Sequence, residues 1–151
     1  MRKFCEMLAV FGIGAGGYTM VELLWRGYSH WTMALTGGVC FLCIYLTELS
    51  FTRVSMWKKC LVGSLVITQM ELTVGFFVNI LLMWDVWDYS DQPVHLFGQI
   101  CPLYSALWFL LCIPCLYLCR FIRRLAERYI LSRSADAAPS PASSAAARAD
   151  G

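Results

Sequence analysis

Glu71, Gly75 and Asn79 recur every four residues inside an otherwise apolar stretch, VITQMELTVGFFVNILLM. On a helix that spacing draws a slowly drifting polar stripe along one side, with Thr68 one turn earlier on the same side. A carboxyl group and a carboxamide two turns apart can hold a polar ligand or a passing ion. They can equally hydrogen-bond to a neighbouring helix, because the glycine between them lets another backbone come close. A glutamate at the centre of a membrane helix costs roughly 2.5–3.5 kcal/mol, while each Leu, Ile, Phe or Val returns about 0.3–0.6 kcal/mol. The surrounding residues therefore permit Glu71 but do not let it face lipid, so it is expected to turn toward other helices, a cavity or a neighbouring subunit.

Three further residues join these two as candidate substrate- or ion-binding groups. Glu22 lies in GYTMVELLW, at a depth similar to Asn79, and could converge with it. Asp88 and His95 belong to WDVWDYSDQPVHLFGQICP, a segment with no Lys or Arg in which aromatics alternate with acids. That pattern suits an aromatic belt at the membrane–water boundary with solvated acids, or a vestibule for cations. Gly12, Gly16 and Gly75 are the candidate helix-packing positions. GIGAGG (12–17) spells a dinucleotide-binding G-x-G-x-x-G, but no strand precedes it; Gly12 and Gly16 instead form a G-x-x-x-G pair in an apolar helix.

Covalent chemistry finds no support. The eight cysteines include two C-x-x-C pairs, Cys40/Cys43 and Cys112/Cys115, but both fall within apolar runs where cysteine serves as a small hydrophobe. The two histidines lie away from them, so no four-ligand zinc set forms. No nucleophile–base–acid set, phosphate loop or H-E-x-x-H motif is present. The expectation is a protein that is not an enzyme, with no metal and no cofactor.

The elements that must carry these residues are membrane helices. At 59% hydrophobic and 15% charged, 151 residues hold too little polar surface to cover a water-soluble domain. Four stretches, about 4–24, 32–52, 60–83 and 103–119, are long enough to cross a hydrocarbon core, which takes roughly 17–25 helical residues. No alternating ten-residue pattern recurs, which argues against a β-barrel. The fold expected is an all-α membrane protein with four transmembrane helices.

Charge sets the expected orientation. Arg26 is the only basic residue in the first loop, and the third has none. The N-terminal segment, the second loop and the C-terminal segment carry the other eleven of the twelve. The positive-inside rule then puts both termini in the cytoplasm and the first and third loops outside. MRKF followed by an apolar run resembles a secretory signal, but Glu6 interrupts it and hydrophobicity continues to Leu24. RFIRRLAERYIL is expected to extend the fourth helix into the headgroups, where arginines meet anionic lipid rather than nucleic acid. Residues 1–131 thus form the transmembrane domain, and 132–151, rich in Ala, Ser and Pro, a disordered cytoplasmic tail.

The block ELTVGFFVNILLMWDVWDYSDQPVHLFGQICPLYSALWFLL resembles the small bacterial integral membrane proteins of the ABC-transporter type IV, permease-like family. The shared pattern is Glu71, Gly75 and Asn79, then W-D-Y-S (87–90), Pro93, G-Q-I-C (98–101) and the aromatic start of the last helix through Trp108. GYTMVELLWRGYSHW resembles the family's first-loop region, so the likeness covers residues 17–119. His95 stands where the family commonly has Asn. The resemblance implies a multi-pass protein of the bacterial cytoplasmic membrane and a transport role. Any ATPase would be a separate subunit, since this chain holds no nucleotide-binding motif. Two readings follow. One is a permease-like transporter subunit, with the lipid bilayer and a homo-oligomer as its surroundings and a polar site around Glu71 and Asn79. The other is a non-transporting scaffold or accessory protein whose embedded polar residues only lock helix packing.

Overall fold

In a computed structural model describing residues 2–136, the chain forms four helices. They are α1 (Arg2–Arg26), α2 (Trp31–Ser50), α3 (Met56–Gly75) and α4 (Pro102–Asp136), and α3 runs on without a break into a π-helical turn, Phe76–Leu81. All four are long and apolar enough to cross a membrane, over 24, 20, 26 and 28 residues. Their outward surfaces are apolar: Leu24, Leu61, Leu65 and Leu110 are all more than half exposed, which suits contact with lipid. The fold class expected from the hydrophobic run lengths is the one observed.

The ends of the helices follow local chemistry. Gly27 adopts φ +79° just past α1, and its N–H reaches the Leu23 carbonyl at 3.1 Å, a glycine stop that a side chain would strain. His30 caps α2, its Nδ1 accepting the Thr32 N–H at 3.4 Å. Pro102 opens α4, where its missing N–H costs nothing. Inside the spans, the hydroxyls of Thr19, Thr36, Thr47 and Thr73 donate to the carbonyls four residues earlier, at 2.8–2.9 Å, so none needs water. The observed boundaries extend α1 and α4 beyond the expected spans and end α2 two residues sooner. The arginine-rich segment continues α4, and residues 132–136, assigned to the tail from composition, lie in that helix. The rest of the expected tail falls outside the described residues.

The chain divides into two compact units, Met1–Cys119 and Arg120–Gly151. Within the second, Arg123 Nε donates to Glu127 at 2.8 Å, one turn along the helix. Within the first, α1 packs along α2 through interlocking glycines and rings. A Cβ on Gly14 would lie 2.4 Å from that of Phe41, one on Gly37 2.4 Å from that of Tyr18, and one on Gly38 2.6 Å from the Phe11 ring. The expected pair does not make this contact: Cβ atoms on Gly12 and Gly16 would meet nothing within 4 Å. The reason is helical phase, since Gly14 lies about 200° around the helix from either.

Near the second loop, Lys59 Nζ donates to Glu48 at 2.7 Å, and both side chains are over nine-tenths buried. Tyr45 donates its phenol to Glu6. These bonds join α1, α2 and α3 at that end. At the opposite end the third loop, residues 82–101, folds back on the helices.

Candidate functional site

The buried Glu71 carboxylate is shared between two elements. Its Oε1 accepts the Tyr89 phenol of the third loop at 3.0 Å, and its Oε2 accepts the Trp108 indole N–H of α4 at 2.8 Å. Tyr89 stacks on Tyr104 with centroids 4.5 Å apart, and Tyr104 lies 6.4 Å from Trp108, so ring contacts reinforce both donors. Burial, with the Glu71 carboxylate beside it, holds the Tyr89 phenol above its usual range, so it stays a donor at physiological pH.

Two turns on, Asn79 spends its whole carboxamide on the loop. Nδ2 donates to the Trp87 carbonyl at 2.9 Å and to Gln99 Oε1 at 2.8 Å, while Oδ1 accepts the Val86 N–H at 2.7 Å. Asn79 sits in the π-helical turn, where the widened backbone joins Leu82 N–H to the Phe77 carbonyl at 3.0 Å. Gly75 makes room for the same contact. A Cβ there would lie 2.3 Å from Gln99 Oε1 and 2.9 Å from the Trp87 ring. Trp87 in turn donates its indole N–H to the Gln99 carbonyl at 3.1 Å.

The loop holds its own shape around Gly98. That residue has φ +68°, and a Cβ would meet Asp88 Oδ1 at 2.5 Å and Ser90 Oγ at 2.7 Å. Its carbonyl accepts the Tyr89 N–H at 2.7 Å, and its N–H donates to His95 Nδ1 at 3.0 Å. Asp88 Oδ1 accepts both the Ser90 hydroxyl, at 2.6 Å, and the Ser90 N–H, at 2.9 Å. Those two bonds hold the Asp88 carboxyl below its usual range, so it is ionised in the exposed loop. Asp88 and His95 thus serve the loop fold. On α1, Glu22 accepts Arg26 Nη2 at 2.5 Å and the Ser29 hydroxyl at 2.5 Å, and Arg26 Nη1 reaches over to the Val86 carbonyl at 3.1 Å.

Beside this network runs a cleft between α1 and α4. Its deeper chamber, about 250 Å³, is lined by all four helices; Ile13, Phe41, Ile44 and Leu118 are among its walls and Glu71 is its one carboxylate. The second chamber, about 530 Å³, lies under the third loop and includes Glu22, Arg26, Asp88 and Asp91. Tyr18, Val21, Met33, Trp108 and Leu111 line both, so the two adjoin.

Of the residues singled out from sequence, Glu71, Gly75 and Asn79 share one network. Glu22 joins the loop two residues away, through Arg26. Glu22 and Asn79 do not bond to each other: Arg26 and Val86 stand between them, the Val86 carbonyl accepting from Arg26 and its N–H donating to Asn79. The partners Gln99, Trp108, Tyr89 and Arg26 were not foreseen, although all four lie in the quoted family blocks. Among the described residues, no group of three or more His, Cys, Asp or Glu is placed to hold a metal ion.

Residues 6–138 match the model of a protein family described as "Putative ABC-transporter type IV". No curated protein and no solved structure matches the chain.

Proposed function

The chain belongs to the ABC-transporter type IV family, and from that membership we propose that it is the permease-type subunit of a bacterial cytoplasmic-membrane transporter. Energy would come from ATP hydrolysis on a separate polypeptide. Both termini and the second loop, which carry eleven of the twelve basic residues, would face the cytoplasm with that ATPase. The third loop would face outward.

The observation that carries the reading is the roofed cleft. The third loop is bonded to α1 through Arg26, to α3 through Asn79 and Glu71, and through the shared Glu71 carboxylate to α4. A chamber of about 530 Å³ remains beneath it, adjoining an apolar one at greater depth. A loop fixed to three helices over a cavity gives a path whose outer end can close, as a gated carrier needs. In this reading Glu71 and Asn79 set the geometry of the path, and the cleft wall meets the solute.

The test is recovery and function together. The full chain, extracted in mild detergent, should copurify with an ATP-hydrolysing subunit, and the reconstituted pair should move solute only with ATP. The scaffold reading is favoured by one observation: both Glu71 oxygens and both polar atoms of Asn79 are already bonded inside the chain. Copurification of a partner that hydrolyses no nucleotide, with no flux from the reconstituted complex, would select the scaffold.

A further inference from the structure

The chamber beneath the third loop has a consistent chemical character. Along one wall, four rings follow one another: Tyr89 stacks on Tyr104 at 4.5 Å, Tyr104 lies 6.4 Å from Trp108, and Trp108 lies 6.1 Å from Tyr18. Trp25 and Tyr28 add two rings from the α1 end. Ring faces of this kind attract cations and give nothing to anions. The chamber already holds one such contact, with the Arg26 guanidinium 4.9 Å from the centre of the Tyr28 ring.

Charge points the same way. Glu22, Asp88 and Asp91 line the chamber against a single cation, Arg26. Arg26 is engaged, since one guanidinium nitrogen pairs with Glu22 at 2.5 Å and another with the Val86 carbonyl at 3.1 Å. An anion would find two of the three guanidinium nitrogens already bonded and the third, Nε, buried out of reach, with the Asp88 and Asp91 carboxylates uncompensated. The Tyr18 hydroxyl, on the shared wall of both chambers, has no hydrogen-bond partner among the described residues. The deeper chamber offers aliphatic and aromatic walls with Glu71 beside them. The rim residues Ile13, Val21, Leu107 and Leu118 are each at least 40% exposed, so the cleft opens sideways toward acyl chains.

We infer that the cleft binds a lipophilic organic cation, with its charged centre among the Tyr89–Tyr104–Trp108–Tyr18 rings and the Asp88 and Asp91 carboxylates, and its apolar body in the deeper chamber. This deepens the permease reading by assigning the solute class to the cleft, and it rests on that reading only for the claim that the cation is moved. A tightly hydrated metal ion does not fit, because the walls lack the oxygen cage that would replace its water.

Equilibrium binding of tetraphenylphosphonium to the full chain in zwitterionic-lipid nanodiscs tests this. Tetraphenylborate, equal in shape and opposite in charge, is the control. Saturable phosphonium binding is expected near one per chain, with at least about a ten-fold preference over borate. Tyr104→Leu should weaken it by about ten-fold, while Tyr104→Phe, which keeps the ring face, should stay within about two-fold. Asp91→Asn should weaken it by about three-fold or more and serves as the deciding variant if Tyr104→Leu lowers stability. Borate binding as strong as phosphonium binding would overturn the inference, as would indifference to both Tyr104→Leu and Asp91→Asn. So would a Val21→Cys/Leu107→Cys disulfide between two copies that forms quantitatively, which would mean that a second chain fills the cleft. Phosphonium binding without ATP-driven flux would uphold the site and defeat the permease reading. An active ATPase complex without charge preference would do the opposite.

Discussion

Trp108 donates its indole N–H to Glu71 Oε2 at 2.8 Å, tying α4 to α3 from the second turn of one helix to the last full turn of the other. Tyr89 takes the other oxygen of the same carboxylate at 3.0 Å, so this one side chain holds α4 and the third loop together. Backbone contacts do not do this work. The close helix packing runs from α1 to α2 and from α2 to α3, while α4 meets α3 through side chains such as Thr68–Ser105 and the Trp57–Phe109 stack.

Glu71 should therefore behave as a two-donor acceptor. In Glu71→Gln the amide oxygen can still accept the Trp108 N–H, and the amide nitrogen can donate to the Tyr89 oxygen. The loss should stay within about 1 kcal/mol. Glu71→Ala strips both partners of their acceptor in a buried setting and should cost about 3 kcal/mol. Denaturant titration of the purified protein reads both. A Glu71→Gln loss as large as that of Glu71→Ala would mean the carboxylate's charge, and not its two acceptor positions, holds the bundle.

Asn79 makes three bonds to the loop, and only its geometry lets one side chain reach the Trp87 carbonyl, the Gln99 amide and the Val86 N–H together. Asn79→Ala should free the loop locally by about 2 kcal/mol while leaving α1 and α2 intact, which corresponds to about thirty-fold faster amide exchange at Val86. Asn79→Asp should fare little better, because a carboxylate cannot donate to the two acceptors. Exchange measured residue by residue separates this from global unfolding, in which α1 amides would accelerate equally.

Gly75 and the Gly12/Gly16 pair should respond in opposite ways to alanine. A Cβ at 75 would stand 2.3 Å from Gln99 Oε1, so Gly75→Ala must displace Gln99 and break its bond to Asn79, at a cost of about 1–3 kcal/mol. A Cβ at 12 or 16 meets open space within the chain, so Gly12→Ala and Gly16→Ala should leave the melting temperature of the monomer unchanged within about a degree. If either of those two substitutions lowers stability only at concentrations where copies associate, their face packs on another copy.

The contrast between these glycines shows what the sequence could convey. Span number was legible because apolar run length is set by membrane thickness, and the Glu71–Gly75–Asn79 stripe because helical period is fixed. Its partner was not. The stripe meets the chain's own third loop, and reaching it takes a π-helical turn at Phe76–Leu81 and positive φ at Met83, Asp85 and Phe97, non-glycine residues that carry no turn signal. Gly12 and Gly16 matched a packing motif by letters, but Gly14, the glycine between them, has the phase that meets α2. The cleft was invisible for a similar reason. Tyr18 lies far along the chain from Tyr104 and Trp108, and only the packing of α1 and α4 places them on one wall.

Asp88 offers a test in pH. Its folded-state pKa is lowered by the Ser90 hydroxyl and N–H, so its contribution to the loop is present above the ordinary carboxylate value and is lost as pH falls through the lowered one. Asp88→Ala should melt below the parent protein by a constant margin from about pH 8 to pH 5, and the gap should close only below about pH 4. A gap that closed well above the carboxylate range would mean that the two Ser90 bonds to Asp88 do not set it.

Topology gives the remaining prediction, and it bears on every functional claim. If the basic segments are cytoplasmic, Lys58→Cys in the first turn of α3, beside the second loop, and Val94→Cys in the third loop must lie on opposite sides of the membrane. Both positions are exposed, so a membrane-impermeant maleimide applied to intact cells should label position 94 and spare position 58. Native Cys5 is also exposed, so the comparison needs a Cys5→Ser background, and the buried cysteines should stay unlabelled. Labelling of position 58 from outside would place the acidic, aromatic mouth of the cleft in the cytoplasm. It would turn the roof into an inner gate and reverse the side from which a cation enters.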